Sequence, residues 1–223
     1  MNPFSNQFLN FLSLYTVKKF KHRQIIHFQG QVPSGVHIIK QGVVRAFTIT
    51  DQGDERTITL FTEGDILNIG WVFEIAPVAL YYYEAFTDCS LYSVPKQELI
   101  DFIHMDPKTL AKILDRYVTL FVIATLQINA LEQPSAQDKI LRTLQFLIMR
   151  HGKLTENGLT SIDLKLTHQD IGNMTGLARE TVAIELNKLK SKKVLSYRHK
   201  NYTLKPEDLL KLLGSDEFTN LKL

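Results

Sequence analysis

Residues 166–195 read LTHQDIGNMTGLARETVAIELNKLKSKKVL, and this stretch restricts the fold more tightly than the rest of the chain. Thr167 followed three residues later by Asp170 has the form of a capping box, which opens a helix at His168. Ile171 and Met174 are spaced to bury on one side of it, and Gly172 leaves room for a neighbouring helix. Gly176 supplies the left-handed conformation that ends the helix. A second helix follows at once, with Val182, Leu186 and Leu189 at i, i+4 and i+7 forming a buried stripe. Two short helices joined by a glycine turn make a helix-turn-helix, and the second presents its first turn, Arg179, Glu180 and Thr181, away from the core. A basic run comes next (Lys188, Lys190, Lys192, Lys193), then the hairpin VLSYRHKNYTL, whose turn carries Arg198, His199 and Lys200 and reads as a wing.

The formal charge of +3 hides an uneven distribution. Residues 1–134 carry 11 Lys/Arg against 13 Asp/Glu, a balance of −2, and residues 135–205 carry 13 against 6, a balance of +7. The tail, 206–223, carries 2 against 4 and returns to −2. A positive segment that coincides with the helix-turn-helix is what a polyanion-binding surface requires, although a solvated basic face produces the same balance.

Upstream the texture is different. Phe4, Phe8, Phe11 and Leu12 stand at helical spacing within residues 4–14 and predict a short amphipathic helix. From Arg23 to Val94 the chain breaks into short β-type runs (QIIHFQG, GVHIIKQGVVRAFTIT, ERTITLF, GDILNIG, YYYEAFTDCSLYSV). Gly42, Gly53 and Gly64 punctuate them at a spacing of 11, and TDQGDE is a turn signal between two strands. Such spacing predicts a small sandwich or barrel. Asp106–Pro107 then forms a helix start, an N-cap acid before proline at the first helical position.

In that helix Leu110, Leu114, Tyr117, Phe121, Ala124, Ile128 and Leu131 alternate at spacings of four and three, the pattern of a two-helix seam. Val118, Leu120, Val122, Ile123 and Leu126 make the other flank apolar too, so the helix also has a side to lay against its own β domain. A buried core helix of a monomer is the competing reading. Pro134 in LEQPSAQD ends the helix and provides a hinge. Ser135–His151 predicts a further helix, broken by Gly152 and TENG, and SIDLKL predicts a short strand.

A single cysteine, Cys89, rules out an intrachain disulfide or a cysteine-held iron–sulfur cluster. The N-terminus lacks the basic region of a secretory signal. The most apolar run, Tyr117–Leu131, is too short for a span and contains Gln127 and Asn129. The expectation is a cytoplasmic protein with no membrane contact. His22, His27, His37 and His104 show no metal-site spacing. A cupin-like metal enzyme would need a histidine pair with a carboxylate pointing into the barrel, which HF at His27 and HII at His37 do not supply. No metal, cofactor or catalytic residue is expected.

These motifs together resemble the catabolite-activator/FNR (CRP/FNR) superfamily of bacterial transcription regulators over nearly the whole chain. The resemblance implies an α+β architecture: a β-roll effector domain (1–106), a central dimerisation helix and hinge (107–134) and a winged helix-turn-helix (135–223). It implies a homodimer on a palindromic site, with double-stranded DNA, a second copy of the chain and RNA polymerase as partners. Arg179 and Glu180 match the family positions that read a G·C pair in the major groove. The chemistry agrees independently: arginine grips guanine O6 and N7, and a carboxylate accepts from cytosine N4. His168, Gln169 and Thr181 match phosphate-contacting positions, and Lys188, Arg198, His199 and Lys200 are the other candidates for the backbone. Family members often carry a second arginine where this chain has Ile184. Exposed, Ile184 would meet a thymine methyl as a third base contact; buried, it would leave Glu185 facing outward. The sequence leaves both open. Ala178 replaces the Ser/Thr expected as N-cap.

Cyclic-nucleotide-binding members carry a Gly-Glu pair and an Arg-Ser/Thr-Ala run. Here Asn68 and Ile69 occupy the pair and Ala79, Leu80 and Tyr81 occupy the run, so the cation for the phosphate and the carboxylate for the ribose are both missing. A buried phosphodiester without a cationic partner is costly, and cAMP and cGMP are not expected as effectors. The strand YYYEAFTDCSLYS also resembles its counterpart in nitrogen-control members that sense an oxoacid, with Arg45 and Arg116 as the cations nearby. The remaining lining candidates for an unidentified effector are Asn68, Trp71, Phe73, Tyr81 and Tyr83, with Ala124 and Thr125 from the central helix; the same side chains would also simply fill the roll. A ligand-independent regulator with the roll as scaffold stays open at this level.

Overall fold

The computed structural model describes residues 5–214 of the 223-residue chain and divides it into two compact units, 1–118 and 119–223. The first unit opens with helix α1 (Asn6–Leu12), started by Ser5, whose hydroxyl accepts from the Phe8 amide. Phe4, placed in this helix by the sequence pattern, lies outside the described residues. Strands β1 (Val17–Phe20), β2 (Ile25–His27), β3 (Val36–Gln41), β4 (Val44–Ile49) and β5 (Glu55–Phe61) follow. After the short helix α2 (Ile69–Val72) come β6 (Tyr82–Ala85), β7 (Cys89–Val94) and helix α3 (Lys96–Met105). Helix α4 (Pro107–Leu131) continues through the division between the units.

The strands form two antiparallel sheets, β1-β7-β3 and β2-β6-β4-β5. Their alternation explains the near-continuous apolar texture of β7. Cys89 and Leu91 point toward Val44, Ala46, Tyr83 and Ala85 of the other sheet, whereas Tyr92 and Val94 pack with Phe8, Leu12, Leu99, Ile103 and Ile113 of the helices. A strand buried on both faces has no polar side to show. The three evenly spaced glycines all adopt positive φ, 96° at Gly42, 83° at Gly53 and 88° at Gly64. Gly42 is doubly constrained, because a Cβ there would lie 2.5 Å from the Asp88 carbonyl oxygen and 2.7 Å from Cys89 Sγ.

Asp106 starts α4 as the sequence predicts: Oδ2 accepts from the Thr109 hydroxyl at 2.7 Å and Oδ1 from the Lys108 amide at 3.2 Å. The helix is then clasped to the roll. Arg116 donates to Asp65 Oδ1 through Nε (3.1 Å) and Nη2 (2.8 Å), and the Tyr117 hydroxyl donates to the Ile66 carbonyl at 3.0 Å. Tyr117, which the heptad spacing assigns to the seam, packs half-buried against the roll core, and its phenol reaches inward for a buried carbonyl. Leu110, Leu114, Phe121, Ala124, Ile128 and Leu131 remain exposed, Phe121 at 70%, and Val118 stands exposed beside Tyr117.

The second unit continues with α5 (Ala136–His151), the hairpin β8 (Gly152–Leu154) and β9 (Thr160–Ile162), and helices α6 (His168–Thr175) and α7 (Arg179–Ser191). Strands β10 (Leu195–Arg198) and β11 (Asn201–Leu204) and helix α8 (Pro206–Leu213) complete it. β10, β11, β9 and β8 form one sheet in that order. The segment expected only to break α5 is thus itself a strand, and the strand expected over SIDLKL is confined to Thr160–Ile162. Leu164 and Leu166 are buried outside any strand, so their spacing reports burial and not extension.

One buried pair gives the first unit a definite response to acid. His27 Nε2 and His37 Nδ1 lie 2.8 Å apart, and both rings are buried. Burial, then the Lys18 charge, lowers the His27 pKa to about 4; burial, then His27 and Lys18, lowers His37 to about 3. Both are neutral in the folded chain, so their contribution is full above the ordinary histidine value of about 6.5 and is lost as the pH falls below it, at up to about 1.4 kcal/mol per pH unit for each ring. Trp71, the sole tryptophan, reports on this unit. Denaturant titrations followed by its emission should show stability falling steadily from pH 6.5 to 5, with a shallower slope in His37→Asn. A flat profile in the parent protein would contradict the assignment.

Candidate nucleic-acid interface

The interface is assembled by local rules that hold almost residue by residue. The capping box is complete: the Asp170 amide donates to Thr167 Oγ1 at 3.0 Å and the Thr167 amide to Asp170 Oδ2 at 2.8 Å, which starts α6 at His168. Gly176 ends it with φ 73°. Gly172 has a different partner from the one its position predicts. A Cβ on it would come within 2.7 Å of the Leu177 carbonyl oxygen, so the glycine makes room for the turn's own backbone and not for a neighbouring helix. Ala178 is the N-cap of α7 and offers no side-chain hydrogen bond.

Helix α7 is held by Val182, Leu186 and Leu189, all fully buried, which fixes its rotation. Arg179 and Glu180 are exposed as expected and Thr181 is half-buried. The alternative left open at the next turn is decided: Ile184 is 56% exposed, while Glu185 is buried and its Oε1 lies 2.7 Å from Lys188 Nζ. Lys188 is exposed but engaged in that pair, away from the groups gathered at the start of the helix.

Those groups converge on a cleft of about 500 Å3 lined by His168 and Gln169 of α6, Arg179 of α7 and Arg198, His199 and Lys200 of the wing. The wing turn is the two-residue loop His199–Lys200, closing the Arg198–Asn201 pair, with positive φ at both positions (50° and 69°). Such turns ordinarily use glycine or asparagine, so two cationic-type side chains here carry backbone strain.

Tyr197 is a residue that sequence reasoning passed over. Its hydroxyl donates to Asn187 Oδ1 at 3.0 Å, its ring stacks on Tyr202 and meets His168 edge-on, and Lys190 Nζ lies 5.1 Å from its centroid. It ties the wing to both helices of the motif. The tyrosines flanking RHKN were the available signal.

The effector-lining candidates separate into groups. Asn68 is buried in the left-handed region (φ 56°, ψ 39°), and neither its amide nitrogen nor its amide oxygen has a hydrogen-bond partner. Tyr83 stands beside it: burial raises the phenol to about 12, and the Asn68 backbone amide, hydrogen-bonded to it, opposes that rise. Tyr81 packs on the same inter-sheet cluster. Trp71 does not join them, because α2 turns it to the helix-side cluster beneath Lys96, and Phe73 at the end of α2 is exposed. Ala124 and Thr125 are also exposed, and the Thr125 hydroxyl donates to Val122 of its own helix. Of the two arginines near the roll, Arg116 is occupied by Asp65, and Arg45 is fully buried with Nη2 2.6 Å from Glu55 and 3.3 Å from Glu84. Among the described residues no helix is long and apolar enough to cross a membrane, and no cluster of three or more His, Cys, Asp or Glu could hold a metal ion.

Comparison with known proteins places this geometry. Residues 17–106 match the cyclic nucleotide-binding domain family, and residues 139–213 match the Crp-like helix-turn-helix domain family. The chain belongs to the CRP/FNR superfamily. It is 27% identical over 190 residues to a global nitrogen regulator of Nostoc sp., covering 84% of each chain. It is 22% identical over 186 residues to the cAMP-activated global transcriptional regulator CRP of Salmonella typhimurium, covering 83% of this chain and 88% of the relative. In fold it resembles a CRP-family regulator of Thermus thermophilus, with a TM-score of 0.73 at 18% identity over 89% of this chain and 97% of that one. The c-di-GMP-responsive regulator CLP of Xanthomonas campestris gives 0.74 at 20%, over 89% and 98%. As a CRP/FNR member the chain is a transcription regulator with a DNA-binding helix-turn-helix, and its relatives are regulators and not enzymes.

A phosphate held by His168 would make the interface sensitive to pH. Burial, then the charge of Arg179, lowers its pKa. A bound phosphate offsets the Arg179 charge and favours the imidazolium, so DNA affinity at fixed salt should rise as the pH falls from 8 to 6. His168→Asn should flatten that rise in an anisotropy titration, with His199→Asn as the comparison for the wing. A slope unchanged by His168→Asn would remove His168 from the phosphate contacts.

Proposed function

We propose that this regulator binds a palindromic DNA site as a homodimer, with Arg179 and Glu180 reading a G·C pair in each half-site. In this reading His168, Gln169, Thr181 and the wing residues hold phosphates. The observation that carries it is the α7 surface: a charged pair at the open end of a helix whose other face is anchored by three fully buried side chains. The exposed stripe of Leu110, Leu114, Phe121, Ile128 and Leu131 supports the dimer, since a row of large apolar side chains in water at seam spacing calls for a partner helix. Two such heads on a duplex would stand about 34 Å apart. The division of labour follows: 1–106 as sensor, 107–134 as seam and hinge, 135–223 as reader.

The roll is proposed to respond to an uncharged effector and not to a cyclic nucleotide. Asn68 and Ile69 offer no ribose carboxylate, Ala79 is a buried methyl where the phosphate would need a cation, Arg116 is paired with Asp65, and the Arg45 charge is met by Glu55 and Glu84 through Nη2, with Nε and Nη1 left without partners. Asn68, with both amide atoms unpartnered, is the group that a ligand would satisfy.

Selection from a random DNA pool should yield a palindrome, and Arg179→Ala should cost about 1–3 kcal/mol and relax base choice at one position per half-site. An equal loss on all sequences would make Arg179 a phosphate contact only. Phe121→Glu should give monomers in sedimentation and lower affinity roughly a hundredfold or more through lost bivalency. Calorimetry with cAMP or cGMP should show no saturable heat. Electron density from protein crystallised without added ligand should lie against Asn68; an empty roll would favour the scaffold reading.

A further inference from the structure

We propose that Ile184 reads the 5-methyl group of a pyrimidine next to the G·C pair, so that the regulator discriminates thymine from uracil and 5-methylcytosine from cytosine. The proposal rests on α7 being the recognition helix and adds the chemistry of its second turn. Ile184 follows Glu180 by four residues and so lies on the same outward face, one turn further along. It is 56% exposed, and the helix does not need it for packing, because Val182, Leu186 and Leu189 supply the buried face at 0% each.

The neighbouring carboxylate is not available as an alternative reader. The Glu185 side chain is 12% exposed and paired with Lys188 at 2.7 Å, so turning it toward DNA would mean breaking that pair. A β-branched side chain has no donor or acceptor and is stiff at χ1. On the base edges of the major groove the apolar group it can meet is the C5 methyl, which thymine carries and cytosine lacks.

The test starts from the palindrome obtained by selection. Each thymine of the half-site is replaced in turn by deoxyuridine, symmetrically in both halves, and affinities are measured by fluorescence anisotropy with the full-length protein. One position should weaken the parent protein by about three- to fivefold per half-site, the worth of one methyl removed from an apolar contact. Ile184→Ala should bind both versions equally, and Ile184→Val should show a reduced penalty. At that position 5-methylcytosine should bind better than cytosine by a similar factor. Ile184 is exposed and alanine favours helix, so both variants should melt like the parent. A half-site without thymine, a uracil scan with no sensitive position, or a penalty that persists in Ile184→Ala would each overturn the proposal. Failure of the underlying reading looks different: Arg179→Ala would then leave sequence preference unchanged.

Discussion

The buried carboxylate of Asp65 is the interaction on which the first unit turns. Its side chain is 1% exposed, and it is held by the Thr62 amide at 2.6 Å and by two nitrogens of Arg116. Arg116 also donates to the Glu63 carbonyl, so a single guanidinium from α4 closes the whole Thr62–Asp65 turn. Gly64, inside that turn, sits at positive φ and bonds to Ile39 of the three-stranded sheet. Leaving such a carboxylate without its cation would cost about 3–5 kcal/mol, because the charge would stay buried and uncompensated. The next two residues of the segment bond Tyr117 and β3, and Asn68 follows directly. The wall of the roll that carries the unsatisfied amide is therefore the wall fastened to the beginning of α4. A ligand that shifts Asn68 would pull on backbone that the helix already holds.

The same logic, one strong anchor setting the aim of weaker groups, governs the recognition helix. Alanine as N-cap leaves the first turn of α7 without side-chain support, and the missing capping bond is worth about 1 kcal/mol. Rotation is instead set by burial of Val182, Leu186 and Leu189, while Gly172 leaves room for the backbone of the preceding turn. The Glu185–Lys188 pair then removes one charge from the outward face. What remains exposed on the first two turns of that face is an arginine, a glutamate and an isoleucine, a more apolar head than one with a second arginine.

Much of this was legible in the residues, and the failures share a cause. Helix caps and glycines at positive φ are local rules, and each was realised where the local chain decides: Thr167–Asp170, Gly53 in its turn, Asp106 before Pro107. The misreadings fall where a distant partner decides. Tyr117 fits the seam by spacing, yet its hydroxyl is claimed by a carbonyl 51 residues earlier. Trp71 and Tyr83 look alike as aromatic lining, but α2 sends one to the helices and β6 sends the other between the sheets. β8 was hidden because Gly152–Leu154 is exposed along its length and shows no alternation. Glu185 and Ile184 were undecidable because their choice depends on the rotation of α7, which the core of the second unit sets.

The wing shows why charge and backbone strain occur together at the interface. A two-residue hairpin turn with both φ values positive would be least strained with glycine, and non-glycine residues in that region cost of order 1 kcal/mol or more each. The chain nevertheless places His199 and Lys200 there, next to Arg198, and braces the hairpin with the Tyr197–Tyr202 stack and the Tyr197–Asn187 bond. Glycine would relieve the turn and remove the charge at its tip. On the proposed reading, a wing that presents cations to a phosphate backbone beside Arg179 accepts that strain, and the tyrosine brace is what holds the strained turn in place.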